Sequence, residues 1–186
     1  MNTEERKKLS EHGLSYCADN TKVAMLNLDW IAGFFDGEGS CYISVKRGTK
    51  RGSGRHRWQF GPRIIITQKD KGILEKIKET LGMGRIIRSR NGNGDLKEYQ
   101  WYIRKKQDFK KFIALMEERI VLKRRQLLLL KEYITLNPGR KHWCSNPKSL
   151  LRALEIALEI SKLNHSKKGT IQRISDYIEL VKSGFT

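Results

Sequence analysis

A single carboxylate set between two glycines, at the end of an apolar run, is the part of this sequence best suited to chemistry. Residues 31–39 read Ile-Ala-Gly-Phe-Phe-Asp-Gly-Glu-Gly. Ala32 and Gly33 let another helix approach closely, and Gly37 and Gly39 are expected to stop the helix. Such an ending leaves a backbone carbonyl and the Glu38 carboxylate free to hold a hard cation through oxygen. Placed opposite a phosphodiester, that cation is equipped for hydrolysis. Taken alone, the nonapeptide reads equally well as a buried helix with a glycine C-cap, so the rest of the chain must decide.

The bulk properties narrow the choice. With 186 residues, 38% of them hydrophobic, the chain is long enough for one core and short for two. Its 38 basic and 20 acidic residues leave a formal charge of +18, far more than solubility needs, and point to a polyanionic partner. Nucleic acid fits better than a membrane, because the basic residues are spread over expected strands and loops and do not line one face of an amphipathic helix. No stretch approaches the roughly 20 apolar residues of a spanning helix. Residues 1–10 are charged where a secretory signal would be apolar, so an intracellular protein is expected. Cys17, Cys41 and Cys144 are odd in number and far apart, and His12, His56, His142 and His165 are equally scattered. His142 and Cys144 lack a second pair, so loop or packing roles are expected in place of zinc.

Positioning Glu38 falls to the elements around it. Residues 1–26 read as a polar arm whose Arg6, Lys7 and Lys8 suit a solvated tail, and residues 27–186 as a single domain. Asn27 or Asp29 caps a helix over Leu28 to Phe35 that Gly37 ends. Cys41, Ile43 and Val45 then alternate with polar residues, as a half-buried strand requires. A basic glycine-rich loop over Arg47 to Arg55 follows, without the Gly-Lys-Ser/Thr ending of a P-loop. A second strand places Trp58, Phe60, Pro62, Ile64 and Ile66 on one side, with Arg57, Gln59, Gly61, Arg63, Ile65 and Thr67 on the other. Lys69 to Leu81 is amphipathic and stops at Gly82. Two more strands, Arg85 to Arg90 and Lys97 to Lys105, flank the turn-forming Asn91-Gly92-Asn93-Gly94. Helices are expected over Asp108 to Arg119, Ile120 to Thr135, Pro147 to Leu163 and Ile171 to Lys182.

An antiparallel four-stranded sheet with helices on one face leaves the other face to a partner. That face would carry Arg57, Arg63, Arg88, Arg90 and Arg104 among Gln59, Gln100, Tyr102, Ser44 and Lys46. Arginine grips guanine bidentately and glutamine does the same with adenine, so the set suits the major groove of double-stranded DNA. An ordinary wet sheet face is the plain alternative. The sign of the charge argues against it, since Glu98 is the one acid among these outward positions.

The nonapeptide and this αββαββα order resemble the single-motif LAGLIDADG homing endonucleases, over about residues 27 to 182. The fold implied is α+β, with a four-stranded antiparallel DNA-binding sheet and additional C-terminal helices. In that family the motif helices of two copies pack together, so one motif implies a homodimer with Ile31, Ala32, Phe34 and Phe35 at its interface. The run Leu81 to Gly84 lacks an acid and is no second motif. The resemblance puts the metal-binding acid on Glu38 and the assisting carbonyl on Gly37. Thr67-Gln68-Lys69 is similar to the segment whose Gln orders active-site water, and Leu122-Lys123 to the segment whose Lys stands near the scissile phosphate. Asn164-His165-Ser166-Lys167 resembles a late loop on the DNA backbone, making Ser166, Lys167 and Lys168 phosphate candidates.

These residue types suit the implied reaction. Phosphodiester hydrolysis needs an activated water and something to absorb charge on the phosphorane, and paired Mg2+ ions held by two Glu38 carboxylates supply both. Gln68 and Lys123 would assist as catalytic groups. The resemblance implies a long pseudo-palindromic site, one cut in each strand and 3′ overhangs. Two departures stand out. Glu38 is one methylene longer than the Asp of some members, and Gly72 sits where others carry a basic residue. The alternative reading is an RNA-splicing maturase, with intron RNA as partner, or a non-cleaving DNA-binding regulator on the same scaffold.

Overall fold

The computed structural model describes residues 14–15, 25–48, 58–90, 96–136 and 146–184. Arg57, the Asn91–Gly94 turn, most of the glycine-rich loop, Arg6, Lys7, Lys8, His12, His56, His142, Cys17 and Cys144 lie outside the described residues, as does the Arg90 side chain. The chain divides into two compact units, Met1–Ser40 with Ile65–Lys123, and Cys41–Ile64 with Arg124–Thr186.

Helix α1, Leu28–Glu38, begins where Asn27 accepts the Asp29 N–H on its side-chain oxygen at 2.7 Å, the local bond that makes asparagine an N-cap. Ile31, Ala32 and Phe35 recur at helical spacing and are buried. Gly37 does not stop this helix. The backbone stays helical through Glu38, and Gly39 is the C-cap, its N–H donating to the Phe35 carbonyl. Glycine is needed there for space: a Cβ on residue 39 would sit 2.2 Å from the Phe35 ring.

The first unit builds its core around that ring. Phe35 meets Phe112 edge-on at 5.3 Å, and Trp101 lies 6.0 Å from Phe112. Phe112 belongs to α3, Lys106–Met116, and Trp101 to strand β6, Leu96–Ile103, which pairs antiparallel with β5, Arg85–Arg90. Helix α2, Lys71–Leu81, starts later than the expected Lys69 because Asp70 caps it, accepting the Gly72 N–H at 2.7 Å. Its Leu74, Ile77 and Leu81 are buried. The arm contributes more than a tail: β1, Leu14–Ser15, pairs with β2, Met25–Leu26, and the Leu26 N–H donates to Thr80 Oγ1 at 3.0 Å.

In the second unit, parts of β3, Gly39–Arg47, and β4, Trp58–Gln68, accompany α4, Arg124–Leu136, α5, Pro147–Leu163, and α6, Lys168–Lys182. Trp58 packs edge-on against Tyr177 at 5.3 Å and lies under the Arg47 guanidinium, while Phe60 meets Tyr133 at 5.9 Å. Burial pushes the Tyr133 phenol above its ordinary pKa, which keeps it neutral in the core. Asn164 Nδ2 donates to the Cys41 carbonyl at 2.6 Å. The four long strands run β3-β4-β6-β5 in one antiparallel sheet, the expected α+β arrangement. No helix among the described residues is long and apolar enough to cross a membrane.

Candidate active site at the end of the first helix

The two acids of the motif lie two residues apart on a helix, so their side chains diverge by about 200°. They meet different surroundings. Glu38 is exposed, and its carboxylate has no partner among the described residues. Asp36 is fully engaged. Its Oδ2 accepts the N–H groups of Val121 at 2.7 Å and Leu122 at 3.1 Å, and its Oδ1 accepts that of Lys123 at 2.9 Å.

Lys123 reaches back the other way. Its Nζ donates to the carbonyls of Phe35 at 3.2 Å, Asp36, and Gly37 at 3.3 Å. The Phe35 carbonyl also accepts the Gly39 N–H, whereas those of Asp36 and Gly37 are among the carbonyls that the end of a helix leaves without intrahelical donors, at the negative pole of the helix dipole. A cation settles naturally on them. This arrangement also explains why α4 begins at Arg124 and not at the expected Ile120: residues 121–123 form a turn whose amides are directed at Asp36.

The expected metal ligand Gly37 thus shares its carbonyl with Lys123. A carbonyl oxygen has two lone pairs, and one remains for a second cation. Gly37 faces open space, since a Cβ there would touch nothing within 4 Å. Among the described residues no cluster of three or more His, Cys, Asp or Glu side chains is placed to hold a metal. Each chain therefore offers one exposed carboxylate and one carbonyl, a donor set hard enough for Mg2+ but incomplete on its own. Gln68 closes β4 and is half-buried, with no bond to Glu38.

Three of the four residues expected at a dimer interface are core residues. Ile31 and Phe35 are 0% exposed and Ala32 is 1% exposed within the single chain, because the i, i+4 stripe of α1 faces inward. Only Phe34 lies on the outer side, stacked on Trp30 at 5.0 Å with Gly33 exposed beside them. Sequence reasoning missed Trp30, and it missed Val121 and Leu122, each 76% exposed on the turn that Asp36 holds. The aromatic spacing of Trp30 and Phe34, four apart, was the available signal for a second apolar stripe.

The sheet residues divide by strand register. In the β3–β4 part, Ser44, Lys46 and Gln59 are exposed, and Arg63 and Ile65 half-buried, opposite the buried Ile43, Val45, Ile64 and Ile66. Ser44 Oγ donates to the Gly61 carbonyl at 3.3 Å on that face. In β5–β6, Arg85 pairs with Tyr102, Ile87 with Gln100, and Arg88 with Tyr99. Cross-strand partners share a face, so Arg88 lies with Tyr99 and the buried Trp101, opposite Gln100 and Tyr102. Arg85 and Ile87 take the place expected for Arg88. The adjacent isoleucines Ile86 and Ile87 hid the phase of β5, and a bulge between Ser89 and Arg90 shifts it again before Arg90 pairs with Leu96. Arg85, Tyr102 and Arg104 further line an open cleft of about 390 Å³ with Lys105 and Asp108.

At the far end of α5, Asn164 ends the helix and His165 takes a left-handed φ of 49°, while the Ser166 N–H returns to the Ser161 carbonyl at 3.0 Å. Ser166 is half-buried, and Lys167 and Lys168 are exposed where α6 begins.

Comparison with known proteins settles the family. The LAGLIDADG endonuclease profile matches residues 31–134, more than half of the chain and spanning both Glu38 and Lys123. The chain belongs to the LAGLIDADG endonuclease family. No curated protein matches it in sequence. Among solved structures, it is similar to the archaeal intron-encoded homing endonuclease I-Vdi141I in complex with DNA, at 25% identity and TM-score 0.62, over 81% of this chain and 95% of that one. The homing endonuclease I-TnaI aligns at 23% identity and TM-score 0.64, over 84% and 99%. The meganuclease I-CpaMI bound to uncleaved DNA aligns at 23% identity and TM-score 0.63, over 84% of this chain and 50% of that one. This LAGLIDADG chain therefore spans nearly all of I-Vdi141I and I-TnaI and half of I-CpaMI.

Proposed function

We propose that this endonuclease is a homing enzyme that binds a long pseudo-palindromic DNA site as a homodimer and hydrolyses one phosphodiester in each strand with Mg2+, leaving 3′ overhangs. The observation that carries the reading is the end of α1, where Glu38 is exposed and the Lys123 ammonium is fixed on the last carbonyls of the same helix. Glu38 and Gly37 from two copies would hold a divalent ion, which would supply a water of lowered pKa and Lewis acidity toward the phosphate. Gln68 orients the attacking water. Lys123 offsets the negative charge that grows on the phosphorane oxygens.

The dimer is favoured by the incomplete donor set that the described residues of one chain offer, and by the exposed apolar Trp30, Val121 and Leu122, with half-buried Phe34 stacked on Trp30. It also agrees with the match of this chain to half of I-CpaMI. Ser44, Lys46, Gln59, Arg63 and Ile65 of β3–β4, and Arg85, Ile87, Gln100, Tyr102 and Arg104 of β5–β6, are the groove-reading candidates. Ser166, Lys167 and Lys168 suit phosphates, as do basic side chains generally. I-Vdi141I, complexed with DNA, supports DNA as partner.

The test is selection. A randomised duplex library is incubated with the purified protein and Mg2+, and the cut molecules are sequenced. A unique, partly palindromic site cut in both strands is the expected result. Glu38→Gln should abolish cutting of that site while leaving its binding within about tenfold, as loss of a transition-state interaction predicts. Undiminished cutting by that variant would remove Glu38 from the mechanism.

A further inference from the structure

The mechanism above uses Glu38 and Lys123 but leaves Asp36 without a role, although it is the most heavily bonded acid in the motif. Three consecutive backbone amides, Val121, Leu122 and Lys123, converge on its two carboxylate oxygens. A turn leading into a helix usually satisfies such amides from a side chain two or three residues away. Here the acceptor lies 85 to 87 residues earlier in the chain, one turn or less from Glu38. The exchange runs in both directions, since Lys123 Nζ caps the carbonyls of Phe35, Asp36 and Gly37.

The consequence concerns position. A lysine side chain has four rotatable carbons and no fixed geometry, so its ammonium alone does not define where a phosphate must sit. With the Lys123 amide fastened to the Asp36 side chain and the Lys123 ammonium fastened to the Asp36 backbone, both ends of the residue are referred to the helix end that carries Glu38. Val121 and Leu122, left 76% exposed, gain nothing from burial that would hold this turn in place. The amide bonds to Asp36 do so.

We infer that Asp36 is a positioning residue: its carboxylate, by holding the Val121–Lys123 amides, sets the Lys123 ammonium on the last carbonyls of α1, the helix that ends at Glu38. The inference rests on the endonuclease reading for its catalytic consequence, though not for its geometry. Alignment of a charged group to within about an ångström is worth of order a hundredfold in rate, so loss of the clamp should act on turnover and hardly on DNA affinity.

Two sets of measurements test it, on Asp36→Ala and on the nearly isosteric Asp36→Asn, which keeps one acceptor oxygen and serves if the alanine variant does not fold. In the free protein, amine labelling followed by mass spectrometry should show Lys123 modified roughly tenfold faster in the variant, with exposed Lys76 unchanged as internal reference. Amide hydrogen exchange at residues 121–123 should accelerate alongside it. On the selected duplex, the single-turnover rate should fall about a hundredfold with Kd within about threefold, and Asp36→Ala should cost nothing further in a Lys123→Met background. A folded variant whose Lys123 labelling and exchange match wild type, or whose loss adds fully to that of Lys123→Met, would overturn the inference. Wild-type protein that cuts nothing would instead overturn the endonuclease reading, while the labelling and exchange would still decide whether Asp36 holds Lys123.

Discussion

Glycine and acid roles at single positions are set here by geometry that residue type alone does not disclose. Asp36 and Glu38 are chemically near-identical, yet one is bound by three amides and the other is open to solvent. Gly84 is a second case. It has a φ of +84°, which favours glycine, and a Cβ there would lie 2.4 Å from the indole nitrogen of Trp101. That indole donates to the Met83 carbonyl at 3.1 Å inside the core. Gly84→Ala should therefore combine backbone strain with overpacking and lower stability by about 2 to 4 kcal/mol. Urea denaturation measures this, and a loss under about 0.5 kcal/mol, the range of an ordinary surface substitution, would contradict the geometry. The exposed position of Glu38 at a helix end was legible from the sequence because Gly39 announces that end, although Gly37 does not. The task of Asp36 was not, since its partners are remote in the chain and backbone amides leave no mark in a sequence.

Among the elements, the β5–β6 hairpin gives the sharpest prediction because its register reverses a sequence-based expectation. Arg85→Ala should relax base preference and cost about 1 to 3 kcal/mol in binding at one position of each half-site, whereas Arg88→Ala should change affinity uniformly and leave preference intact. Competition binding against single-base variants of the site separates the two. The alternation of Tyr99, Trp101 and Ile103 revealed the inward face of β6, while two adjacent isoleucines and a bulge concealed that of β5. Helix α2 starts later than expected because Asp70 caps it, and α4 because of the Asp36-bound turn, whereas α1 and α5 start where expected, behind the caps Asn27 and Asn146.

A pH dependence also belongs to the elements. Arg152 of α5 donates to Glu132 of α4 with two bonds, at 2.6 and 2.9 Å. The hydrogen bond from Arg152 holds the Glu132 carboxyl below its ordinary 4.5, against a smaller opposing effect of burial. A depressed folded-state pKa contributes stability above the unfolded value, and that contribution disappears as pH falls through the folded one. Both side chains are about 40% exposed, so solvent screening limits the effect to about 0.5 kcal/mol. Melting curves below pH 4.5 should fall more steeply for wild type than for Glu132→Gln, and parallel curves would show the pair to be inert.

For the whole molecule, the charge of +18 and the single motif were plain in the sequence, the first pointing to a polyanionic partner and the second underlying the proposed dimer. Which apolar stripe is free for the proposed second copy was not plain, because Ile31, Ala32 and Phe35 are as hydrophobic as Trp30 and Phe34, and only packing shows that the first three are occupied. Leu122→Glu places a charge on a residue 76% exposed, so the fold should survive while the dimer dissociates. Sedimentation should then read one chain's mass, 21.7 kDa, in place of twice that value. A variant that remains dimeric would move the interface elsewhere. A monomeric wild type would remove the dimer altogether.

The central claim is that two Glu38 carboxylates meet across the dimer with a divalent ion at a DNA phosphate. It is tested most directly by a crystal structure of the protein on its selected duplex with calcium, which occupies oxygen sites without supporting turnover. The account predicts an ion about 2.3 to 2.6 Å from a Glu38 carboxylate oxygen and in contact with a backbone phosphate. A complex in which Glu38 lies away from every phosphate, or binds no ion, would contradict it.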